Sequence, residues 1–462
     1  MATIPLTIYH MNDLHSHFTY WPQIVSYMKK EREKTESYLL LDLGDHADRS
    51  HVITEATMGK ANVALLNELG IDYATIGNNE GITFSKEALN ELYAHASFPV
   101  VVANLFDEDG MRPAWATPYV LHTVSEQLTI GMIGVTAPFT PFYRELGWDV
   151  RRHEEVLPQL LEEVKGQADV VVLLSHLGLF RDEEIAEQYE GIDLICGAHT
   201  HHVLPEGKRL YGTLITQAGR GGKWLGKVEL TYDTEARCIA ESNAQLIDME
   251  KEAPDQTTHL QLEHLNREAK QHLSQEVAYL SQQLTVDWFI PTEGAQLLCD
   301  GITEWCGADI GMMNAGVLLE SIGPNIVTVG DIHRICPHPI NPCLVKMTGD
   351  ALLETIRRAH TREIIELELK GFGFRGKVLG TMLFTGIDIS LSEERDGTLE
   401  VTEVKIAGEP VVKEQLYELA TLDMYTFGYL FPKIAESQEK RYFMPEMLRD
   451  VLAWQLKKIE HR

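Results

Sequence analysis

The chain has 462 residues, 44% of them apolar and 24% charged, and 40 Lys and Arg against 69 Asp and Glu give a formal charge of −29. This length suits two or three domains with full-sized cores. The negative charge repels nucleic-acid backbones and anionic membranes, so we expect neither as a partner. A small phosphate ester remains a possible partner, because metal ions reverse the local field.

Short apolar runs at the start of the chain predict strands that are buried on both faces. These runs are 4–11, 38–43, 73–76, 98–102, 169–174 and 192–196. Helical patterns lie between several of them, over 21–34, 53–69 and 85–95. Two β runs that meet at a polar turn, 119–124 and 128–135, predict a hairpin. The first half is therefore expected to be an α/β sandwich-like domain with mixed sheets.

The second half begins after a polar segment, 251–285, whose apolar stripe predicts one long helix between two domains. A helix over 293–305 and β segments over 379–390 and 398–405 follow it. We expect a catalytic domain over 1–248, a linker helix over 249–285 and a second domain over 286–462.

The sequence predicts neither a targeting segment nor a framework of disulfide bonds. No run of about 18 apolar residues predicts a membrane-spanning helix. The N-terminus enters a predicted strand directly, without a basic and then apolar leader, so we expect a cytoplasmic protein. The six cysteines have no Cys-x-x-Cys spacing, which is typical of mostly buried, reduced thiols.

Five short motifs with polar side chains stand where predicted strands run into loops. They are Asp13-Leu14-His15, Gly44-Asp45, Gly77-Asn78-Asn79-Glu80, Ser175-His176 and Gly197-Ala198-His199-Thr200-His201. Sites in open α/β sheets form outside the carboxyl ends of strands. Carboxylate, amide and imidazole ligands that converge there suit Mn²⁺, Zn²⁺ or Fe²⁺. Two such ions about 3.5–4 Å apart can activate a hydroxide for in-line attack at phosphorus.

The ordered set resembles the 5′-nucleotidase family of the calcineurin-like metallophosphoesterases. The resemblance implies a four-layer β-sandwich flanked by helices, followed by a second α/β domain that binds the substrate. It also implies two divalent metal ions. One would be held by Asp13, His15, Asp45 and His201, and the other by Asp45 as a bridge with Asn78, His176 and His199.

The sequence departs from the family at the expected catalytic histidine. The family pattern Gly-Asn-His-Glu, with an aspartate three residues after the histidine, reads Gly77-Asn78-Asn79-Glu80-Gly81-Ile82 here. Asn79 can donate a hydrogen bond but cannot deliver a proton at neutral pH. His46, His17 or His202 could replace the lost acid, although each could equally be a loop histidine without a role. We take Asn79 and His46 as the catalytic candidates.

Two further departures concern the side chains that face the substrate. The family arginine is missing after Asn314-Ala315-Gly316, and Arg375 is the candidate replacement. The late Gly-Gly-Asp-Gly stretch is also missing. The aromatic candidates for stacking on a nucleobase, which could equally fill the core of the second domain, are Phe372, Phe374, Tyr425 and Phe427. Asn78 would contact substrate as well as metal.

The resulting hypothesis is a dinuclear-metal phosphoester hydrolase for a nucleotide-like or other small phosphorylated metabolite, as in nucleotide catabolism. Since the metal ligands are kept and the His–Asp dyad is lost, we expect it to differ from a standard 5′-nucleotidase and to favour good leaving groups. The alternative is a catalytically impaired sensor that binds metal and ligand without turnover.

Overall fold

The computed structural model describes residues 3–34, 37–393 and 399–460 and divides into two compact units, Met1–Ala269 and Lys270–Arg462. The division falls inside the segment 249–285 that the sequence assigns to a linker. No described helix is both long enough and apolar enough to cross a membrane.

The first unit contains two main sheets. Its strands in chain order are β1 (Thr3–Met11), β2 (Tyr38–Asp42), β3 (Tyr73–Ala74), β4 (Val100–Val101), β5 (Leu105–Asp107), β6 (Ala116–Thr117), β7 (Tyr119–Ser125), β8 (Leu128–Thr136), β9 (Trp148–Val150), β10 (Val170–His176), β11 (Leu194–Gly197), β12 (Lys208–Leu210), β13 (Thr213–Thr216), β14 (Trp224–Asp233) and β15 (Cys238–Asp248). The sheet orders are β15-β14-β1-β2-β3-β4-β6 and β12-β13-β11-β10-β8-β7, and β5 pairs with β9. The strands that lead into the motifs are parallel within each sheet.

The helices of the first unit connect these strands. They are α1 (Trp21–Lys34), α2 (Val52–Thr57), α3 (Lys60–Leu69), α4 (Asn78–Thr83), α5 (Lys86–Tyr93), α6 (Thr140–Glu145), α7 (His153–Lys165) and α8 (Leu179–Gln188). A further helix, α9 (Gln256–His272), follows β15 and contains the division between the two units.

The core of the first unit lies between the two sheets. Ile8 and Leu41 of the first sheet share one buried cluster with Met132, Val172 and Leu194 of the second. Because side chains alternate along a strand, the residues next to these point outwards and are covered by helices.

Helices cover both outer faces of this sandwich. Val156 and Ile185, from α7 and α8, pack in a second cluster with Leu173 of β10. On the other face, the Tyr9 ring of β1 meets the Tyr27 ring of α1 edge-on at 6.1 Å. The predicted α/β sandwich flanked by helices is therefore present.

Two predicted helices are corrected by the structure. The pattern over 53–69 forms α2 and α3, because Met58 and Gly59 adopt left-handed φ angles of 48° and 76° that end the first helix. The predicted helix over 251–285 is only α9, since a strand, Glu276–Leu280, follows shortly after it. The predicted hairpin over 119–135 is confirmed by the antiparallel pairing of β7 and β8.

The second unit contains a mixed five-stranded sheet and two smaller sheets. The strands of this unit are β16 (Glu276–Leu280), β17 (Ile310–Asn314), β18 (Asn325–Thr328), β19 (Pro342–Thr348), β20 (Met382–Thr385), β21 (Ile387–Glu393), β22 (Leu399–Ile406), β23 (Glu409–Pro410), β24 (Leu416–Leu422) and β25 (Glu439–Tyr442). The sheet orders are β20-β17-β24-β19-β25, β16-β18 and β21-β22-β23. The predicted strand 379–390 is divided between β20 and β21, and Thr398, at the predicted start of β22, lies outside the described residues.

The helices of the second unit are α10 (Glu293–Cys306), α11 (Val329–Ile335), α12 (Gly349–Ala359), α13 (Arg362–Ile365), α14 (Pro432–Glu436) and α15 (Leu448–Glu460). The predicted helix over 293–305 corresponds to α10. Five of the six cysteines are buried, and Cys238 is exposed.

Candidate metal centre

The five motifs meet at one edge of the sandwich in the first unit. Asp13 follows β1, Asp45 follows β2, His176 ends β10 and His199 follows β11, while Asn78 begins α4. These strands come from both sheets, and their carboxyl ends converge because the neighbours in each sheet are parallel. The topology therefore assembles side chains that are up to 188 positions apart in the sequence.

The backbone at this edge is unusual at five of the predicted ligands. The φ angles are 51° at Asp13, 49° at His15, 52° at Asp45, 73° at His199 and 57° at His201. Residues with a Cβ rarely occupy this left-handed region, and such strain clusters at functional sites. A sharp turn at each position aims the side chain into the same small volume.

The first group of side chains comprises Asp13, His15 and His201, whose candidate ligand atoms all lie within 4.8 Å of one another. His201 Nε2 is 3.3 Å from Asp13 Oδ1 and 3.2 Å from His15 Nε2. His15 Nδ1 is 3.2 Å from Asp48 Oδ2. The carboxylate thereby orients the ring so that its Nε2 faces the group, as outer-shell partners of ligating histidines do.

The second group comprises Asp45, His176 and His199, again within 4.8 Å. The His176 Nδ1–H donates to the Leu43 carbonyl at 2.6 Å, which leaves Nε2 3.5 Å from Asp45 Oδ1. That Nε2 is buried and has no hydrogen-bond partner among the described residues. A buried polar atom without a partner is costly, so this lone pair fits a metal ligand.

Asp45, a member of the second group, also faces the first group. Its Oδ2 is 3.7 Å from His15 Nε2 in the first group, and its Oδ1 faces His176 in the second. The side-chain oxygen of Asn78, Oδ1, is likewise buried and without a partner in the described part of the chain. These two observations are what a bridging carboxylate and an amide ligand require, and the donor set suits a divalent transition metal.

The charges of the site also favour cations. Burial alone would lower the pKa of His176, yet the Asp45 and Asp13 carboxylates raise it to about 10. Burial alone would raise the pKa of Asp45, but the His176 and His15 imidazoles hold it well below the usual aspartate range. The paired carboxylates thus draw positive charge into a buried site, and divalent ions would supply it.

Two glycines let the motifs approach each other closely. A Cβ added to Gly44, whose φ is 85°, would lie 2.3 Å from the backbone nitrogen of Gly77. A Cβ on Gly77 would lie 2.0 Å from Asp45 Oδ1. The loops that carry Asp45 and Asn78 therefore pack backbone against backbone, and only glycine fits there.

Replacement of Gly44 by alanine is expected to lower the free energy of unfolding by roughly 3 kcal/mol, because overpacking adds to left-handed strain. The matched control is Gly212→Ala, where φ is 93° but no heavy atom of the described chain lies within 4 Å of the added Cβ. There the cost is strain alone, about 1–2 kcal/mol. Urea denaturation of both variants measures the difference, and equal losses would contradict the close packing.

Asn79, which stands where the family has histidine, forms hydrogen bonds with the carboxylate of Asp45, the predicted bridging ligand. Its backbone N–H donates to Asp45 Oδ1 and its Nδ2 donates to Asp45 Oδ2, both at 2.7 Å. Glu80 accepts from the backbone N–H groups of Asp45, Ala47 and Gly77. Asn79 and Glu80 therefore fix the position of Asp45.

The histidines considered as substitutes for the lost acid differ in burial. His46 is 2% exposed, and burial lowers its pKa to about 3, so its imidazole is neutral at pH 7. Its Nε2 has no hydrogen-bond partner among the described residues. His17 is exposed, and His202 Nδ1 lies 2.8 Å from the Thr200 hydroxyl. A neutral His46 can accept or donate one hydrogen bond, but it carries no positive charge.

Two residues that support the site, Asp48 and Asn12, were not predicted from the sequence. Asp48 contacts His15, and Asn12 Nδ2 donates to Asp13 Oδ2 at 2.8 Å and to the Gly219 carbonyl at 2.7 Å. Their nearness in sequence to Asp45 and Asp13 was the available signal. Short polar residues beside a ligand are frequent in any loop, however, so only the fold shows which of them reach the site.

In the second unit, two of the predicted substrate residues belong to the interior. Tyr425 is 0% exposed and its hydroxyl donates to Asn314 Oδ1 at 2.8 Å. Phe374 is 3% exposed and stacks on His338 with ring centroids 5.2 Å apart. Both rings are enclosed by their own unit, which favours the alternative that they fill the core of the second domain.

The other predicted substrate residues lie nearer the surface of the second unit. Phe372 and Phe427 stack directly on each other, with centroids 5.6 Å apart, and Phe372 also contacts Tyr429. Because these two rings contact each other, the space between them does not fit a stacked base. The Arg375 backbone N–H donates to His338 Nδ1 at 2.8 Å, and its side chain is partly exposed.

Comparison with known proteins agrees with this architecture. The model of the calcineurin-like phosphoesterase family matches residues 6–203, and that of the 5′-nucleotidase C-terminal domain matches residues 272–429. The chain belongs to the 5′-nucleotidase family of calcineurin-like metallophosphoesterases. It is therefore a phosphoester hydrolase, as the sequence predicted, and its two ligand groups match the dinuclear divalent centre of calcineurin-like enzymes.

Among particular relatives, the chain is 46% identical over 456 residues to the metallophosphoesterase YunD of Bacillus subtilis (strain 168), covering 98% of this chain and 99% of that protein. A putative 5′-nucleotidase of Staphylococcus aureus has a TM-score of 0.71 at 19% identity, over 98% of this chain and 96% of the other. The NAD nucleotidase of Haemophilus influenzae has a TM-score of 0.69 at 16% identity, over 100% and 97%. At these identities the two structures show a shared two-domain fold.

Proposed function

We propose that this protein hydrolyses a nucleotide-like or other small phosphorylated metabolite at a dinuclear centre of Mn²⁺, Zn²⁺ or Fe²⁺. Asp13, His15 and His201 would hold one ion, Asn78, His176 and His199 the other, and Asp45 would bridge them. The ions would supply Lewis-acid activation of water and charge neutralisation at phosphorus. The observation that carries the proposal is the pair of ligand groups, which share Asp45 between them.

The surroundings of the centre bear on the choice of substrate. Asn79 holds both oxygens of Asp45, and it has no acidic proton to give to a leaving group. His46 is neutral at pH 7, so it does not supply the positive charge of the family histidine. Substrates whose leaving groups depart without protonation are therefore favoured, such as phosphoanhydrides, cyclic phosphodiesters and aryl esters.

A substrate panel tests this proposal. The Mn²⁺-loaded full chain is assayed with 5′-AMP, 2′,3′-cyclic AMP, nucleotide sugars and bis-p-nitrophenyl phosphate. We expect kcat/KM on at least one activated ester to exceed that on 5′-AMP by about 10²-fold, the usual contribution of general-acid catalysis. Faster hydrolysis of 5′-AMP than of every activated ester would overturn the leaving-group argument, and inactivity on the whole panel would overturn the proposal.

A further inference from the structure

A cavity of about 410 Å³ opens beside the second ligand group, entirely within the first unit. His199 forms part of its wall, and the Phe139 ring meets the His199 ring at a centroid distance of 5.9 Å. Leu177 and Phe139 give the cavity an apolar side, while Arg152 and Arg181 give it a basic side. The cavity therefore adjoins the predicted metal centre through His199, and its lining combines apolar and basic side chains.

The basic side combines several sources of positive charge. Arg152 precedes the 13-residue helix α7, and Arg181 lies in the first turn of the 10-residue helix α8, so both helices begin at the cavity. Helix N-termini carry partial positive charge, which adds to that of the two guanidinium groups. The first turns of these helices also carry Glu154, Glu155 and Asp182, so the charge that favours an anion is mainly that of the two guanidinium groups.

One carboxylate in the wall competes for these cations. Glu154 Oε1 accepts from Arg152 Nη2 at 2.6 Å, and Glu154 Oε2 is 3.3 Å from His153 Nδ1. Arg181 pairs with Glu184 one turn along its own helix. Both arginine side chains are more than half exposed, and exposed ion pairs are weak, so a ligand anion can displace them.

We propose that this cavity binds the leaving group of the substrate, which would be an apolar or planar group that carries a second anion, a carboxylate or a phosphate. Phe139 and Leu177 would contact its apolar body, and Arg152 and Arg181 would bind the anion. This assignment rests on the proposed hydrolase function and narrows its substrates to phosphoesters with a second acidic group. It would also supply, from the catalytic domain, the arginine contacts that the second domain has lost.

The test compares two substrates of the same size, 4-carboxyphenyl phosphate and 4-carbamoylphenyl phosphate, in which a neutral carboxamide replaces the carboxylate. In the wild-type holoenzyme we expect at least fivefold higher kcat/KM on the carboxylate. The double variant R152Q/R181Q should bring this ratio close to one, and Glu154→Gln should increase it, because the guanidinium loses its competitor. In a parallel experiment, 1,4-phenylene bisphosphate replaces 4-carboxyphenyl phosphate, and the kcat/KM values of the two substrates show whether a phosphate or a carboxylate is preferred.

The matched control is the double variant R144Q/R151Q. It removes the same charge from the same region, but Arg151 pairs with Asp149 and neither residue lines the cavity. The ratio should stay at the wild-type value. A wild-type ratio near one, or an equal fall in the control variant, would overturn the assignment.

A binding measurement separates this proposal from the hydrolase function. Calorimetry with both probes on the full chain without added metal reports the cavity independently of turnover. If the Mn²⁺-loaded chain is inactive on both probes and on the whole substrate panel, but the carboxylate probe binds at least fivefold more tightly and R152Q/R181Q abolishes the difference, the cavity assignment stands and the hydrolase proposal fails. Equal binding of the two probes would overturn the cavity assignment whatever the activity.

Discussion

Asp45→Asn is expected to lower kcat/KM by at least about 10³-fold, the largest effect of any single substitution considered. The asparagine keeps the size of the side chain but removes the negative charge shared by the two ligand groups. Metal ions contribute several kcal/mol to charge stabilisation at phosphorus, and each 1.36 kcal/mol is about tenfold in rate. Steady-state kinetics at saturating Mn²⁺, together with metal analysis of the purified variant, measures the loss.

The control for this variant is Asp193→Asn. Asp193 is another carboxylate of the first unit, partly buried, that accepts the Val171 N–H, but it precedes the amino end of β11 and does not lie at a carboxyl end. Its kcat/KM should stay within about twofold of wild type, since it is remote from the catalytic edge. Comparable losses in both variants would mean that the Asp45 effect reflects folding.

Asn79→His is expected to shift substrate preference away from activated esters and towards 5′-AMP. A protonated imidazole at this position can stabilise the phosphoryl group and supply a proton, so the rate on 5′-AMP relative to an aryl ester should rise by about 10²-fold. This gain is at the low end of the range of about 10²–10⁴-fold that general-acid catalysis contributes, because Ile82 stands where the family has the aspartate that would orient the ring. The ratio of kcat/KM values for the two substrates is the measurement.

Asn79→Ala serves as the reference for that change. It removes the hydrogen bond to Asp45 Oδ2 without adding an acid, so it should lower both rates and leave their ratio unchanged. The histidine interpretation fails if the alanine and histidine variants show the same ratio.

The metal centre could be predicted from the sequence to a large extent. Each motif follows a short apolar run, and runs of this kind form parallel strands whose carboxyl ends share an edge. Once Asp13, Asp45, His176 and His199 are placed at strand ends, their convergence follows from the topology. The left-handed turns at these positions could not be predicted from the sequence, because Asp and His adopt positive φ angles only rarely and their presence does not indicate that conformation.

Other features depend on contacts between distant residues. The helix over 53–69 looks continuous by periodicity, yet Met58 and Gly59 break it with their backbone angles. The aromatic residues of the second unit were recognised, but hydrophobicity alone does not distinguish a buried Tyr425 from a partly exposed Phe427. The cavity beside His199 combines residues from four separate loops and helices, and no local motif marks it.

The central claim, a dinuclear centre that hydrolyses phosphoesters, is tested most directly by titrating the metal-stripped full chain with Mn²⁺. Bound metal and the rate on bis-p-nitrophenyl phosphate are followed in the same samples. Two ions per chain are predicted, with activity rising as the second site fills and disappearing on chelation. Full activity in the stripped protein, or saturation at fewer than two bound ions per chain, would contradict this account.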